Sequence, residues 1–273
     1  MTPGAWSSLP AFLAPWEFSP TTLLIALAAV LIYARGSRRG GRSGGGARQL
    51  AYYLAIAGLY AVMQTRIDYY AQHVFYVHRL QHLVLHHIGP FLLALSAPQQ
   101  ALLDGLPAGL RRRYVQPLLA SAPVRYIDRA LFHPLLAPLL FVGAILIWLL
   151  PSLHFDAMLS LPLYQLMNWS MILDGLPFWW LVLDPRPSPP ARISYGLRIL
   201  MLWLVMLPQI AVGAYIGLSR HDLYTVYAIC GRALPISAIT DQQIGGLIVW
   251  IPGAMMSALA SLILLRRSLL DAR

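Results

Sequence analysis

The sequence predicts an all-α integral membrane protein: a bundle of about seven transmembrane helices, N-terminus outside and C-terminus in the cytoplasm. Three observations carry this. The chain is 58% hydrophobic and 11% charged, whereas soluble domains carry about 25% charged residues. Its apolar residues fall in runs close to the roughly 20 needed to cross the hydrocarbon core. Its basic residues are all arginine, gathered in clusters between those runs.

The runs, taken in order, are approximately 19–35, 49–67, 72–97, 134–150, 163–183, 195–217 and 243–265, in one polytopic domain, 1–273. No basic residue precedes Arg35, so the first run lacks the charged front of a secretory signal and reads as a retained anchor. The glycine-rich segment 36–46 reads as a flexible loop. The segment 98–133 is the largest connection, and LLDGLPAGLRRRYVQPLL within it mixes apolar and basic residues as an interfacial helix does. The fifth run holds Asn168 and Asp174 and ends in an aromatic belt, GLPFWWLVLDP. In the last, TDQQIGGLIVWIPG opens on Asp241, placed to cap the helix or to reach a site, and its two glycines permit close packing. Sixteen of the twenty arginines fall on the face shared by 35–48, 111–129, 186–198 and the C-terminal tail. Positive charge marks the cytoplasmic side, hence N-out, C-in.

The net charge of +10 does not indicate nucleic acid, because no aromatic-rich basic strand or finger spacing accompanies it. Cys230, the sole cysteine, excludes an internal disulfide framework and paired-thiol metal or redox motifs.

HVFYVHRLQHLVLHHIGP, 73–90, places five histidines in the third run. At 100° per residue, His78, His82 and His86 drift by only about 40° per step and form one stripe, with Arg79 and Phe75 in the same arc. His78 lies about 9 Å and His82 about 15 Å below the start of the run. His87 is turned away and reads as structural. His73 joins the stripe only if the helix bends near its start. Imidazoles four residues apart can share one metal ion, and neutral imidazole suits copper, zinc, iron and nickel. The plainer alternative is a buried polar layer bonded between helices. Ionisable residues at membrane depth mark functional sites by default. Arg79 needs a carboxylate or water, and Asp68, Asp174 and Asp241 are candidates. Asp68, Tyr69, Met63, His154, Asp156, Met158, His221 and Asp222 add donors at or near the outer face, although each alone reads as a solvated loop residue. His133, before Pro134, reads as an inner boundary residue.

The run HVFYVHRLQHLVLHHIGPFLLALSAP resembles the signature of the multispanning bacterial cytochrome c oxidase assembly factors of the CtaG type: a histidine, then H-x-x-Q-H-L, then a proline and an L-x-A-P ending. GLPFWWLVLDP is similar to that family's fifth-helix ending and DQQIGGLIVWIPG to its last-helix motif. The blocks occur in the family's order, and the resemblance spans about residues 15–268. It implies a multi-pass protein of the bacterial inner (plasma) membrane that matures a haem–copper oxidase, usually through copper. It carries over His73, His78, Gln81 and His82, and Asp241, Gly245, Gly246 and Trp250. One departure is that many members have fifth-helix histidines where Tyr164 and Asn168 stand.

The candidate metal ligands are therefore His73, His78, His82, His86 and Asp241, with copper implied by the resemblance and possible help from Met63, Met158 or Met167. The expected partners are an oxidase subunit or its copper donor, and the lipid bilayer. No enzyme activity is expected. A di-iron hydroxylase needs histidines on further helices, and a bis-histidine haem needs a second ligand from another span. A metal-free chaperone for an oxidase subunit and a proton or metal transporter are the rivals. Against the transporter, the third run turns apolar below His86, at GPFLLALSAP.

Overall fold

In hydrocarbon the backbone has no water to bond to, so apolar runs close their hydrogen bonds within themselves as helices. The computed structural model describes residues 14–39, 45–186, 188–189 and 191–271. Residues 1–13, and 40–44 of the glycine-rich segment expected to be a loop, lie outside that description. Among the described residues the chain is helical without a β-strand, apart from one isolated bridge between Pro15 and Thr65.

The helices are α1 (Pro20–Arg39), α2 (Gly46–Gln64), α3 (Arg66–His73), α4 (Phe75–Ser96), α5 (Gln99–Gly105), α6 (Ala122–Leu131) and α7 (Leu136–Trp148). They continue with α8 (Pro151–Leu159), α9 (Leu161–Leu183), α10 (Tyr195–Leu218), α11 (Val226–Ile229) and α12 (Ala238–Asp271). An interrupted helical stretch fills 108–120 between α5 and α6.

By length and composition α1, α9, α10 and α12 can cross a bilayer. The total is up to six if α4 with α5, bent by 73°, and α6 with α7, bent by 70°, each count as one span. By this measure the described residues hold four to six candidate spans where seven were expected. The second run forms α2, whose 19 residues are diluted by Arg48, Gln49, Gln64 and three tyrosines. The fourth run supplies only the 13 residues of α7. The expected loop 36–46 also begins later, because α1 continues through Arg39. Gly36 lies so close to α5 that a Cβ there would fall 1.7 Å from the Ala101 carbonyl oxygen.

Helix α4 is central, touching α2, α9 and α12. Val74 is extended (φ −144°, ψ 121°) and separates α3 from α4. Farther along, Leu83–Ile88 widens into a π-helical turn. Pro90, which has no N–H, cannot bond the His86 carbonyl four residues earlier. The Trp179 indole N–H donates to that carbonyl instead, at 3.2 Å. The connecting helices α8 and α11 fold over the start of α4, where His154 and Tyr227 meet the Phe75 ring. At the other end, Arg198 is fully buried and donates to the carbonyls of Ile193, Asp184 and Arg186. The 98–133 segment is helical as its composition suggests, and α6 exposes Tyr126 and Ile127.

Candidate functional site

The start of α4 cannot cap itself, because Val74 offers no side-chain acceptor. Asp241, from the first turn of α12, does so from across the bundle. Its carboxylate accepts from the Phe75 N–H at 3.0 Å and the Tyr76 N–H at 2.8 Å and pairs with Arg232. The expectation of plain capping was aimed at its own helix, whereas the cap serves α4. Gly245, one turn on, leaves room for the Phe75 ring, 2.3 Å from where a Cβ would be.

Below this cap, His78 and His82 meet edge to edge, with their Nε2 atoms 2.8 Å apart. Both are buried. The other nitrogen of His78, Nδ1, lies 3.0 Å from the Tyr227 hydroxyl. That hydroxyl lies 2.9 Å from His154 Nε2, and His154 Nδ1 lies 3.1 Å from the Trp148 carbonyl. This sequence fixes every proton. A carbonyl only accepts, so His154 carries its proton on Nδ1 and accepts at Nε2 from Tyr227. The Tyr227 oxygen then accepts from His78 Nδ1–H, which leaves a lone pair on His78 Nε2. His82 must donate to it from Nε2 and is left with a bare Nδ1. Burial, aided by Arg79, lowers the His154 pKa to about 3, so its ring is neutral.

His82 Nδ1 has no hydrogen-bond partner, and neither does Asn168 Oδ1 on α9, although the Asn168 side chain faces the His82 ring. Both orphans are acceptors in this protonation state, so neither can serve the other. A proton shifted to His82 Nδ1 is the tautomer the ring needs when Nε2 binds a metal. In that respect the residues fit a copper ion. Among the described residues, however, no group of three or more His, Cys, Asp or Glu is arranged to hold a metal.

The remaining expected ligands stand apart from that pair. His73 lies beyond the Val74 break, on α3, with Nδ1 2.7 Å from the Tyr69 carbonyl and its ring against the Tyr69 ring. His86 reaches Asp174 of α9, 3.2 Å away, and stacks on Phe141. The π-helical turn and that carboxylate split the expected stripe after His82. His87 meets Gln209 of α10 at 2.9 Å, a bonded structural histidine as expected. Arg79 bonds to none of its three candidate carboxylates, all of which are engaged elsewhere, and lies over the Phe75 ring at 5.1 Å.

Two findings correct the reading of the outer loops. His154 is wholly buried on α8 rather than solvated. Asp68 is also buried, accepting from Gln81 Nε2 and the Tyr164 hydroxyl, both at 2.7 Å, and from Gln72 at 2.9 Å. Burial raises Asp68 to a pKa of about 6 even with those donors. Gln81 also donates to the Val62 carbonyl, tying α2, α3, α4 and α9 together. Asp156 and His221 remain exposed, as expected of loop residues. A cavity of about 530 Å³, walled by Glu17, Met63, Asp68, Tyr164 and Asn168, adjoins this knot. Tyr227 lies 149 residues from His78, beyond the reach of helical spacing.

The description cytochrome c oxidase caa3 assembly factor (Caa3_CtaG) matches residues 30–270. The chain belongs to this family. Among curated proteins it is similar to Mb0105 of Mycobacterium bovis, 29% identical over 254 residues that cover 86% of this chain and 36% of that protein. It is also similar to ML1998 of Mycobacterium leprae, at 26% identity over 88% of this chain and 37% of that one. This chain therefore spans little more than a third of the length of the curated relatives it matches. No solved structure matches it. The family match takes in both the histidine helix and the α12 motif that caps it.

Proposed function

We propose that this protein serves the assembly of a haem–copper cytochrome c oxidase from the bacterial inner membrane, holding copper between His78 and His82 and releasing it to an oxidase subunit or taking it from a copper donor. One observation carries the reading: two buried imidazoles face each other through Nε2, 2.8 Å apart, and His82 Nδ1, which must carry the proton when Nε2 binds copper, has no other partner. Membership of the assembly-factor family supports the biological setting.

Copper here is cargo. Two neutral nitrogens without thiolate hold it exchangeably, and the remaining positions are open to a ligand from the donor or the client. His73, His86 and Asp241 then act around the site: Asp241 fixes the start of α4, His86 anchors its lower turn to α9, and His73 stays at the rim. In the N-out, C-in arrangement drawn from the arginines, the pair sits toward the periplasmic end.

The test is the copper content and affinity of the purified protein beside a His78→Ala/His82→Ala double variant. Near-stoichiometric copper that is lost in the variant supports the reading. Absence of copper from both, with oxidase maturation still dependent on the protein, overturns it in favour of a metal-free chaperone.

A further inference from the structure

Among the described residues two arginines are buried, and they are treated differently. Arg198 sends Nε, Nη1 and Nη2 to three carbonyls. Arg79, 4% exposed, has no hydrogen-bond partner for Nε or Nη2. A guanidinium is always charged, and a buried charge without a counter-charge or hydrogen bonds is strongly unfavourable. Among the described residues no acid pairs with it. Asp68 is held by Gln72, Gln81 and Tyr164, Asp174 by His86, and Asp241 by Arg232 and two backbone amides. The Phe75 ring covers one side of the cation but cannot accept from its N–H groups in their plane.

Arg79 instead lines a cavity of about 30 Å³, whose other polar walls are His82, His87 and Gln209. A single water requires about 10–15 Å³ on this measure, so the space suits a monatomic ion and is too small for a phosphate. Gln209 uses its oxygen on His87 and its amide on the Val205 carbonyl, which leaves the guanidinium as the cavity's charged donor. Met171, Ile145 and Leu149 close the apolar side. We infer that this cavity is a binding site for a small monovalent anion of halide size, with Arg79 as its counter-charge. The site does not depend on copper, although an anion there lowers the repulsion that Arg79 exerts on a cation at His82.

The test uses full-length, chelator-treated protein in detergent, melted in sodium chloride, sodium bromide or sodium gluconate at constant ionic strength and pH. Chloride and bromide are expected to raise Tm saturably, on the order of 3 °C at a tenfold excess over Kd, while gluconate, too large for the cavity, does not. Arg79→Gln abolishes the dependence. Val249→Phe, which fills the cavity and leaves the arginine, abolishes it as well, so one informative variant remains if the other fails to fold. Equal melting of the native protein in chloride and gluconate overturns the inference, as does an undiminished halide effect in either variant. Because the protein is metal-free throughout, failure here is separable from failure to bind copper.

Discussion

The upper and lower histidines of α4 have the same chemistry and opposite surroundings. His86 and His87 each meet a partner from another helix, Asp174 and Gln209, and so act as bolts between helices. His78 and His82 meet each other. His86 and His87 each use Nε2 on another helix and keep only Nδ1 without a partner, so the nitrogen facing outward from the ring is already engaged. Two histidines that share one proton between facing nitrogens are one tautomeric shift away from a ligand pair. The difference teaches that the count of histidines in a helix says less about metal binding than what stands opposite each ring.

The largest expected effect breaks the lower region. Asp174→Ala leaves His86 buried without its partner and should cost about 2–3 kcal/mol in stability with copper affinity nearly unchanged, read by denaturant titration and copper titration together. The mirror experiment sharpens the contrast. His82→Ala should weaken copper binding at least about 100-fold, while His86→Ala should leave it within about threefold; equal losses in both would erase the distinction between the two regions. Tyr227→Phe should come next, weakening copper about tenfold by releasing the His78 tautomer; competition with a chelator of known affinity reads it.

Taken per pH unit, the smallest effect comes from titration. The pKa of His154 is about 3 in the folded protein against 6.5 unfolded. Its stabilisation is therefore complete above pH 6.5 and declines toward pH 3, as the unfolded chain takes up a proton that the folded one refuses. The slope is about 1.4 kcal/mol per pH unit, and unfolding curves of His154→Gln should lack it. Asp68, raised to about 6 by burial, works in the opposite sense. Its contribution is complete below about pH 4 and is lost as pH rises through 6. Asp68→Asn should flatten that side of the profile.

The sequence made the membrane class legible because composition and arginine clustering are global properties. The i, i+4 spacing made the His78–His82 pair legible, since one turn of helix settles it. Spacing could not show that the stripe ends at His82: that depends on Asp174 standing opposite His86, and on Pro90 sending the His86 carbonyl to Trp179. The extended residue at Val74, which detaches His73, is equally invisible in the pattern of apolar residues. His154 looked like a loop residue because a short helix beginning with Pro151 has no membrane-scale signal, yet its fold over α4 buries the ring. The tyrosine that joins it to His78 comes from a four-residue helix that no periodicity marks.

The cap that Asp241 places on α4 has a consequence for the order of synthesis. The two amides it satisfies belong to Phe75 and Tyr76, 166 and 165 residues earlier in the chain. The ribosome therefore releases the histidine helix long before its cap exists. Until α12 is inserted, the start of α4 has unbonded amides and a loosely set first turn, and His78 lies within that turn. A nascent or truncated protein lacking α12 therefore carries the histidine helix with its first two amides uncapped.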